Sequence, residues 1–434
     1  LDYFMTAKPS KIGFWALTAL VTGNLVGSGV FLLPSTLAPF GMTSLLGWIA
    51  TTFGAIILSL IFGQLSCKHT RTGGPFVYVE DAFGRTPGFF VAWGYWVLSW
   101  ISNAALVVAA VGYFSKMVGE ISLPATLALE IFIMVAFTAI NLRGIAFSGA
   151  FEIFITLFKV VPLVLIPVFG IFYMDLGHFT PINPTEHSLF GAINTVALIT
   201  IWGYIGLETG TVPSGEVESP RKTVPKAVVT GTLIAALVYI LGTVAIMGVV
   251  PKDILVGSGA PYADLAAHIF GGNWHHAVSF MAIISCLGAL NGWILVVGQI
   301  GYGAGKDNLF PKLFEKTTAS GSPKWALILS SACSIPFMVM TLNKNLVNQF
   351  NFIVDVSVTL VMVIYALCVA AYVKFLIQQD RVKTKYWVLA GIGGLFTFWA
   401  MWVASLKMIL LSCTIFVVGI PVYWFQRRKW LVLK

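Results

Sequence analysis

Charge is scarce in this sequence: of 434 residues, 10% are Asp, Glu, Lys or Arg, and only 17 are acids. Soluble domains carry about a quarter, so too little polar surface is available to cover a water-exposed globule, and an ordinary soluble enzyme is excluded. Disorder is excluded as well, because disordered chains are rich in charge and poor in apolar residues. Cysteine is sparse and scattered. Cys67, Cys286, Cys333, Cys368 and Cys413 form no CxxC pair, which argues against a disulfide framework or a zinc site. The six histidines fall in loops or at span ends, and the adjacent pair His275-His276 cannot share one helical face, so no metal site is expected. There is no Ser-His-Asp set, no His-rich helix face and no phosphate-binding loop; Gly73-Gly74-Pro75 lacks the Lys-Ser/Thr of a nucleotide loop and reads as a turn. A repeated filter-like segment, as in a channel, is missing too. The expectation is a protein that is not an enzyme and needs no cofactor.

Apolar length is what the chain has in excess. Hydrophobic residues make up 58%, and a helix needs about 20 of them in a row to cross a bilayer. Twelve such runs are predicted, at 13–40, 42–66, 87–115, 124–142, 145–173, 188–214, 224–250, 273–303, 323–342, 349–373, 386–405 and 407–426. The fold class is therefore all-α and integral to a membrane, with the lipid bilayer as its solvent. The first, third, sixth and eighth runs exceed a straight crossing and should tilt, bend or break. No small-residue cleavage site follows the run beginning near Gly13, so a cleavable signal peptide is not expected.

The net charge of +9 might suggest a nucleic-acid partner. Its distribution points elsewhere. With residues 1–12 inside, all but five of the 26 Lys and Arg fall in segments on the cytoplasmic side, the exceptions being Lys116, Lys252, Lys344, Lys407 and the mid-span Lys159. That asymmetry is the positive-inside pattern; it places residues 427–434 inside as well and disposes of the nucleic-acid reading.

Two runs are interrupted by glycine about halfway across. The first contains Gly23-Asn24-Leu25-Val26-Gly27-Ser28-Gly29, the sixth Trp202-Gly203-Tyr204-Ile205-Gly206-Leu207-Glu208. A lone Gly-x-Gly in a span is more often a packing motif. Two in corresponding positions, one beside a buried acid, point to a transporter with inverted repeats, spanning 13–173 and 188–373 with 386–426 appended. The half-helix after Gly27 exposes N–H groups and a positive dipole end that suit a carboxylate. Carbonyls near Leu25 and around Trp202 to Ile205 suit an ammonium. Together they form a receptor for an α-amino acid.

The runs GNLVGSGVFLLPSTLA, IWGYIGLETGTVPSGEVESPRKTVPKA and CLGALNGWILVVGQ resemble the amino acid–polyamine–organocation superfamily, and within it the basic amino acid/polyamine antiporters, the family of the arginine–agmatine exchangers. The resemblance implies the LeuT-type fold of five plus five helices with the first and sixth broken, a homodimer, and a place in the bacterial inner membrane. It assigns Ser28 and Gly29 to the substrate carboxylate, the carbonyls of Leu25, Trp202 and Ile205 to the α-ammonium, and Trp202 to an outer gate. It puts Trp293 against the substrate side chain, Asn103 and Ser357 near a guanidinium end, and Tyr95, Glu208 and Tyr365 at an inner closure. Glu208 stands out on physical grounds too, since an acid inside a span is retained for a partner or a proton. Two positions depart from the family: Gly203 replaces a serine, and the small pair of the third span is Leu98-Ser99, which puts Ser99 in a pocket of altered shape.

Lys159 is a further departure from the polyamine exchangers. By similarity to the proton-coupled and light-chain-type relatives, its ammonium takes the place of a sodium ion, bridges the first and fifth helices, and itself exchanges a proton. A lysine snorkelling to an interface is the plainer alternative. Asp355 has three readings: attraction of a cationic substrate, pairing with a base, or exposure to outside water. Glu130 and Glu152 lie near span ends and are expected to be solvated. The function expected is exchange of a cationic amino acid (arginine, ornithine or lysine) for a related amino acid or its amine. Proton-coupled uptake of broader or neutral amino acids is the second reading, with protons as partners.

Overall fold

Every regular element among the described residues is helical, save isolated bridges joining Ile12 to Val217 and Thr317 to Pro323. The computed structural model describes residues 11–119, 121–179, 181–186, 188–340, 346–403 and 406–432. Its α-helices are Phe14–Leu25 (α1), Gly29–Leu37 (α2), Thr43–Lys68 (α3), Pro75–Phe83 (α4), Arg85–Val118 (α5), Leu123–Leu142 (α6), Ile145–Gly170 (α7) and Leu189–Ile201 (α8). They continue with Pro220–Val249 (α9), Lys252–Val256 (α10), Pro261–Phe270 (α11), His275–Lys306 (α12), Lys324–Met340 (α13), Leu346–Ile377 (α14), Thr384–Val403 (α15) and Leu406–Val432 (α16).

Among the described residues ten helices are long and apolar enough to cross a membrane, and α1 with α2 pass the same test as one bent pair. These occupy eleven of the expected runs; the remaining one, 323–342, holds the shorter apolar helix α13. The long third and eighth runs are unbroken, with α5 of 34 and α12 of 32 residues. The bundle is built around α12, α9 and α5, while α6, α15 and α16 stand at the periphery. Their outward faces carry Phe132, Leu395, Phe398, Trp402 and Val418, all exposed, an apolar surface that suits lipid and would be untenable in water.

The first interruption is a sharp one. Helix α1 ends at Leu25, Val26 has ψ 80°, and α2 restarts at Gly29 with its axis turned by 42°. The cause is local: glycine and serine are poor helix formers, and Gly27 to Gly29 offer little side-chain contact to hold a continuous ladder. In the sixth run the α-helix ends at Ile201 and gives way to 3-10 turns at Trp202–Tyr204 and Leu207–Thr211. Between them Ile205 is extended and Gly206 has φ 113°, a region closed to side chains with a β-carbon. Helix α1 then packs against α7, α9 and α12, and the turn Leu207–Thr211 packs back onto α1. Both interruptions thus face one another in the middle of the bundle.

Burial corrects one expectation. Glu130 and Glu152 are not solvated; each is enclosed, Glu152 completely. Position near a run end misled because α7, which carries Glu152, is packed against α1 and α12, and α6, which carries Glu130, against α12 and α13.

Candidate functional site

A cavity of about 510 Å³ lies between the interruptions, counting its open mouth. Its walls are Asn24, Leu25, Gly27, Ser28 and Gly29 of the first run, Ser102, Ala105 and Leu106 of α5, Trp202 and Ile205 of the sixth run, Tyr239 of α9 and Trp293 of α12. The N-terminus of α2 opens onto it with Ser28 in the capping position, so unpaired N–H groups and a positive dipole end face the space. On the opposite side stand carbonyls at the ends of α1 and α8. The Leu25 carbonyl accepts the Tyr239 hydroxyl at 2.9 Å, and the Trp202 carbonyl accepts the Ile205 N–H at 3.3 Å. The Leu25 carbonyl also accepts the Gly27 N–H at 3.1 Å, so both carbonyls are already engaged at the edge of the space. The Trp202 indole packs over Gly29, and Trp293 lies against Gly206 and edge-on to Tyr95, ring centroids 6.4 Å apart.

Six of the residues singled out from the sequence therefore meet at one space: Leu25, Ser28, Gly29, Trp202, Ile205 and Trp293. Asn103 and Ser357 are buried but do not form its wall. The Asn103 amide makes no hydrogen bond among the described residues. Ser99 donates back to the carbonyl of Tyr95 on its own helix at 2.7 Å and does not form the cavity wall. Asp355 has its side chain outside the described residues. Sequence reasoning missed Asn24, Ser102 and Tyr239. Asn24 sits inside the motif that announced the break, and its buried amide is unpaired among the described residues. Tyr239 carries no local signal, since only packing of α9 brings it to Leu25.

Below the cavity, toward the end of the bundle that holds Ile12, Glu208 is wholly buried between two tyrosines. Tyr95 donates to its Oε1 and Tyr365 to its Oε2, while the Gly206 N–H donates to the Tyr365 hydroxyl at 3.4 Å. The expected trio thus forms one hydrogen-bonded clasp joining α5, α14 and the segment after the second interruption. Lys159 is also buried, which excludes snorkelling, and its Nζ donates to the Gly23 carbonyl at 2.7 Å, tying α7 to α1.

A separate polar cluster closes the Ile12 end. Arg71 donates to Asp81 at 2.5 Å and to Asp307 at 2.6 Å, and His69 Nδ1 lies 2.6 Å from Asp81. The guanidinium thereby links α4 to the end of α12. Burial, helped by the Asp307 carboxylate, pushes the Glu80 carboxyl from its ordinary 4.5 up to about 7, against the pull of Arg71. Between those values the folded state holds the proton that the unfolded chain has lost, so Glu80 makes stability fall as pH rises through that window. Glu80→Gln is expected to remove this loss: its Tm in detergent, relative to the parent protein, should be higher at about pH 8 than at about pH 5. An equal difference at both values would exclude the effect.

The sequence profile of the family described as "Amino acid permease" matches residues 12–424. The chain is 32% identical over 430 residues to the putrescine transporter PotE of Haemophilus influenzae, covering 98% of this chain and 99% of that protein. It is 33% identical over 463 residues to a putative arginine/ornithine antiporter of Bacillus subtilis, covering 97% and 98%. A cadaverine/lysine antiporter of Escherichia coli is 32% identical over 340 residues, 77% of this chain and 76% of that one. Among solved structures, Mhp1, a nucleobase-cation-symport-1 family transporter in a closed conformation with bromovinylhydantoin bound, superposes with a TM-score of 0.60 at 14% identity, over 97% of this chain and 94% of that chain. The likeness to Mhp1 shows a common fold.

Proposed function

The chain belongs to the amino acid permease family of the amino acid–polyamine–organocation superfamily, and from that premise we propose that this integral membrane protein exchanges a cationic amino acid for a related amino acid or its decarboxylated amine. The observation that carries the reading is the meeting of both helix interruptions at one cavity. There the N-terminus of α2 offers donors to a carboxylate at Ser28 and Gly29. The carbonyls of Leu25, Trp202 and Ile205 receive the α-ammonium, and the indole face of Trp293 receives a cationic side chain. Asn103 and Ser357 come within reach of that side chain only after rearrangement. Trp202 covers the site from outside, and the Tyr95–Glu208–Tyr365 clasp closes it from the cytoplasm. Names of the relatives, which include a putrescine transporter and two amino acid antiporters, agree with a basic substrate. In this reading twelve helices cross the membrane, 13–173 and 188–373 are the inverted repeats, both termini are cytoplasmic, and the protein is a homodimer.

Proton-coupled uptake is the competing reading, and it requires that the buried Lys159 shed its proton during transport. Transport in liposomes decides. Labelled arginine should accumulate when arginine, ornithine, lysine or agmatine is preloaded, and not in empty vesicles. Accumulation in empty vesicles under an inward proton gradient would overturn obligate exchange.

A further inference from the structure

Two buried charges on α7, Glu152 and Lys159, lie about two turns apart and converge on a single residue of α1. Lys159 Nζ donates to the Gly23 carbonyl at 2.7 Å. The Glu152 carboxylate lies against the α-carbon of Gly23, where a β-carbon would collide with it and would sit 2.8 Å from Thr156 Oγ1. No ion pair within 4 Å joins the two charges among the described residues. Gly23, two residues before the break, stands between them.

The hydrogen bonds around Glu152 define its charge. Asn141 donates through Nδ2 to the Phe137 carbonyl at 3.0 Å and to Asn291 Oδ1 at 3.1 Å. With its oxygen so occupied, Asn291 turns its Nδ2 toward Glu152 and donates to Oε2 at 2.7 Å. The Thr156 hydroxyl lies 3.2 Å from Oε1 and 3.3 Å from the Ala19 carbonyl, with one proton to share between them. The Asn291 amide, its orientation fixed by Asn141, is a committed donor to the carboxylate, and that bond favours the ionised form. An ionised carboxylate in a low-dielectric interior in turn opposes loss of the proton from a nearby ammonium, since the result would be an uncompensated buried anion. The other titratable group facing Lys159 is the Cys286 thiol of α12; α1, Phe14–Leu25, carries no titratable side chain and meets it through the Gly23 carbonyl.

We infer that Glu152 is a positioning residue that holds Lys159 as a fixed ammonium, so that the pair ties α1 to α7 and α12 without carrying a proton. This rests on the exchange reading above and deepens it. A lysine able to shed its proton suits proton-coupled uptake, whereas one locked by a buried carboxylate leaves the bound proton count unchanged as α1 moves, which suits exchange.

The test follows arginine exchange in liposomes from about pH 6 to about pH 9. Glu152→Gln should acquire a loss at the alkaline end absent from the parent protein, at least about tenfold between pH 7 and pH 9. That loss should vanish in the double variant Glu152→Gln/Lys159→Met, and Glu152→Asp should keep the parent profile. A Glu152→Gln profile like the parent's, or a loss that persists without Lys159, overturns the inference. Should Glu152→Gln not fold, ¹⁵N spectroscopy of the parent protein in bilayers reads Lys159 directly, its signal identified by its absence from Lys159→Met. An ammonium retained to about pH 9 supports the inference, and a neutral amine there overturns it. A parent protein that exchanges nothing removes the exchange reading alone, because the spectroscopic result still judges the pair.

Discussion

Exchange by the Glu208→Ala variant is expected to lose its dependence on pH and to slow by at least about tenfold. Glu208 accepts from the hydroxyls of both Tyr95 and Tyr365, and all three side chains are buried. Truncation strands two hydroxyls in the interior, at about 1–3 kcal/mol each, and every 1.4 kcal/mol is about tenfold in a rate or population. It also deletes the only titratable acid in the clasp that joins α5, α14 and the segment after the second interruption. The two consequences separate in Glu208→Gln, which keeps an amide oxygen as acceptor but cannot titrate. That variant should exchange faster than Glu208→Ala and show the same flat profile. Initial rates of labelled arginine exchange across a pH series measure both. A Glu208→Ala protein with the parent pH profile would rule out a coupling role for this carboxylate.

Affinity for arginine is expected to fall by about 2- to 30-fold in Trp293→Ala. A cation over an indole face gains about 0.5–2 kcal/mol, and loss of the ring also opens space between Gly206 and Tyr95, which it now fills. Guanidinium compounds should lose most, since a planar guanidinium stacks on the ring where an ammonium only points at it. Neutral amino acids should lose least. Calorimetric titration of the purified variant with arginine, lysine and a neutral amino acid gives the comparison directly. Unchanged arginine affinity would remove Trp293 from the side-chain subsite.

The solvent of this protein and the place of its site were legible early, for different reasons. Scarcity of charge and the length of apolar runs are sums over the chain, so folding detail does not alter them. The interruptions were visible because Gly27-Ser28-Gly29 and Gly206 act on the backbone within a few residues of themselves. The same locality explains the failures. Glu152 looked solvated because its distance from a run end was counted, when the relevant fact was that Asn291, on another helix, faces it. Tyr239, which caps Leu25, belongs to an unremarkable apolar helix, and no motif marks it.

From sequence alone came the membrane, the helical class, the two interruptions and half of the residues that line the cavity. Each of these depends on composition or on short-range backbone preference. Tertiary structure alone decided which hydroxyl meets which oxygen of Glu208, that Tyr239 caps Leu25, and that Glu152 and Lys159 meet at Gly23. Those facts depend on the rotation and register of helices far apart along the chain. Such rotation is set by the packing of whole faces against one another, which no local pattern encodes.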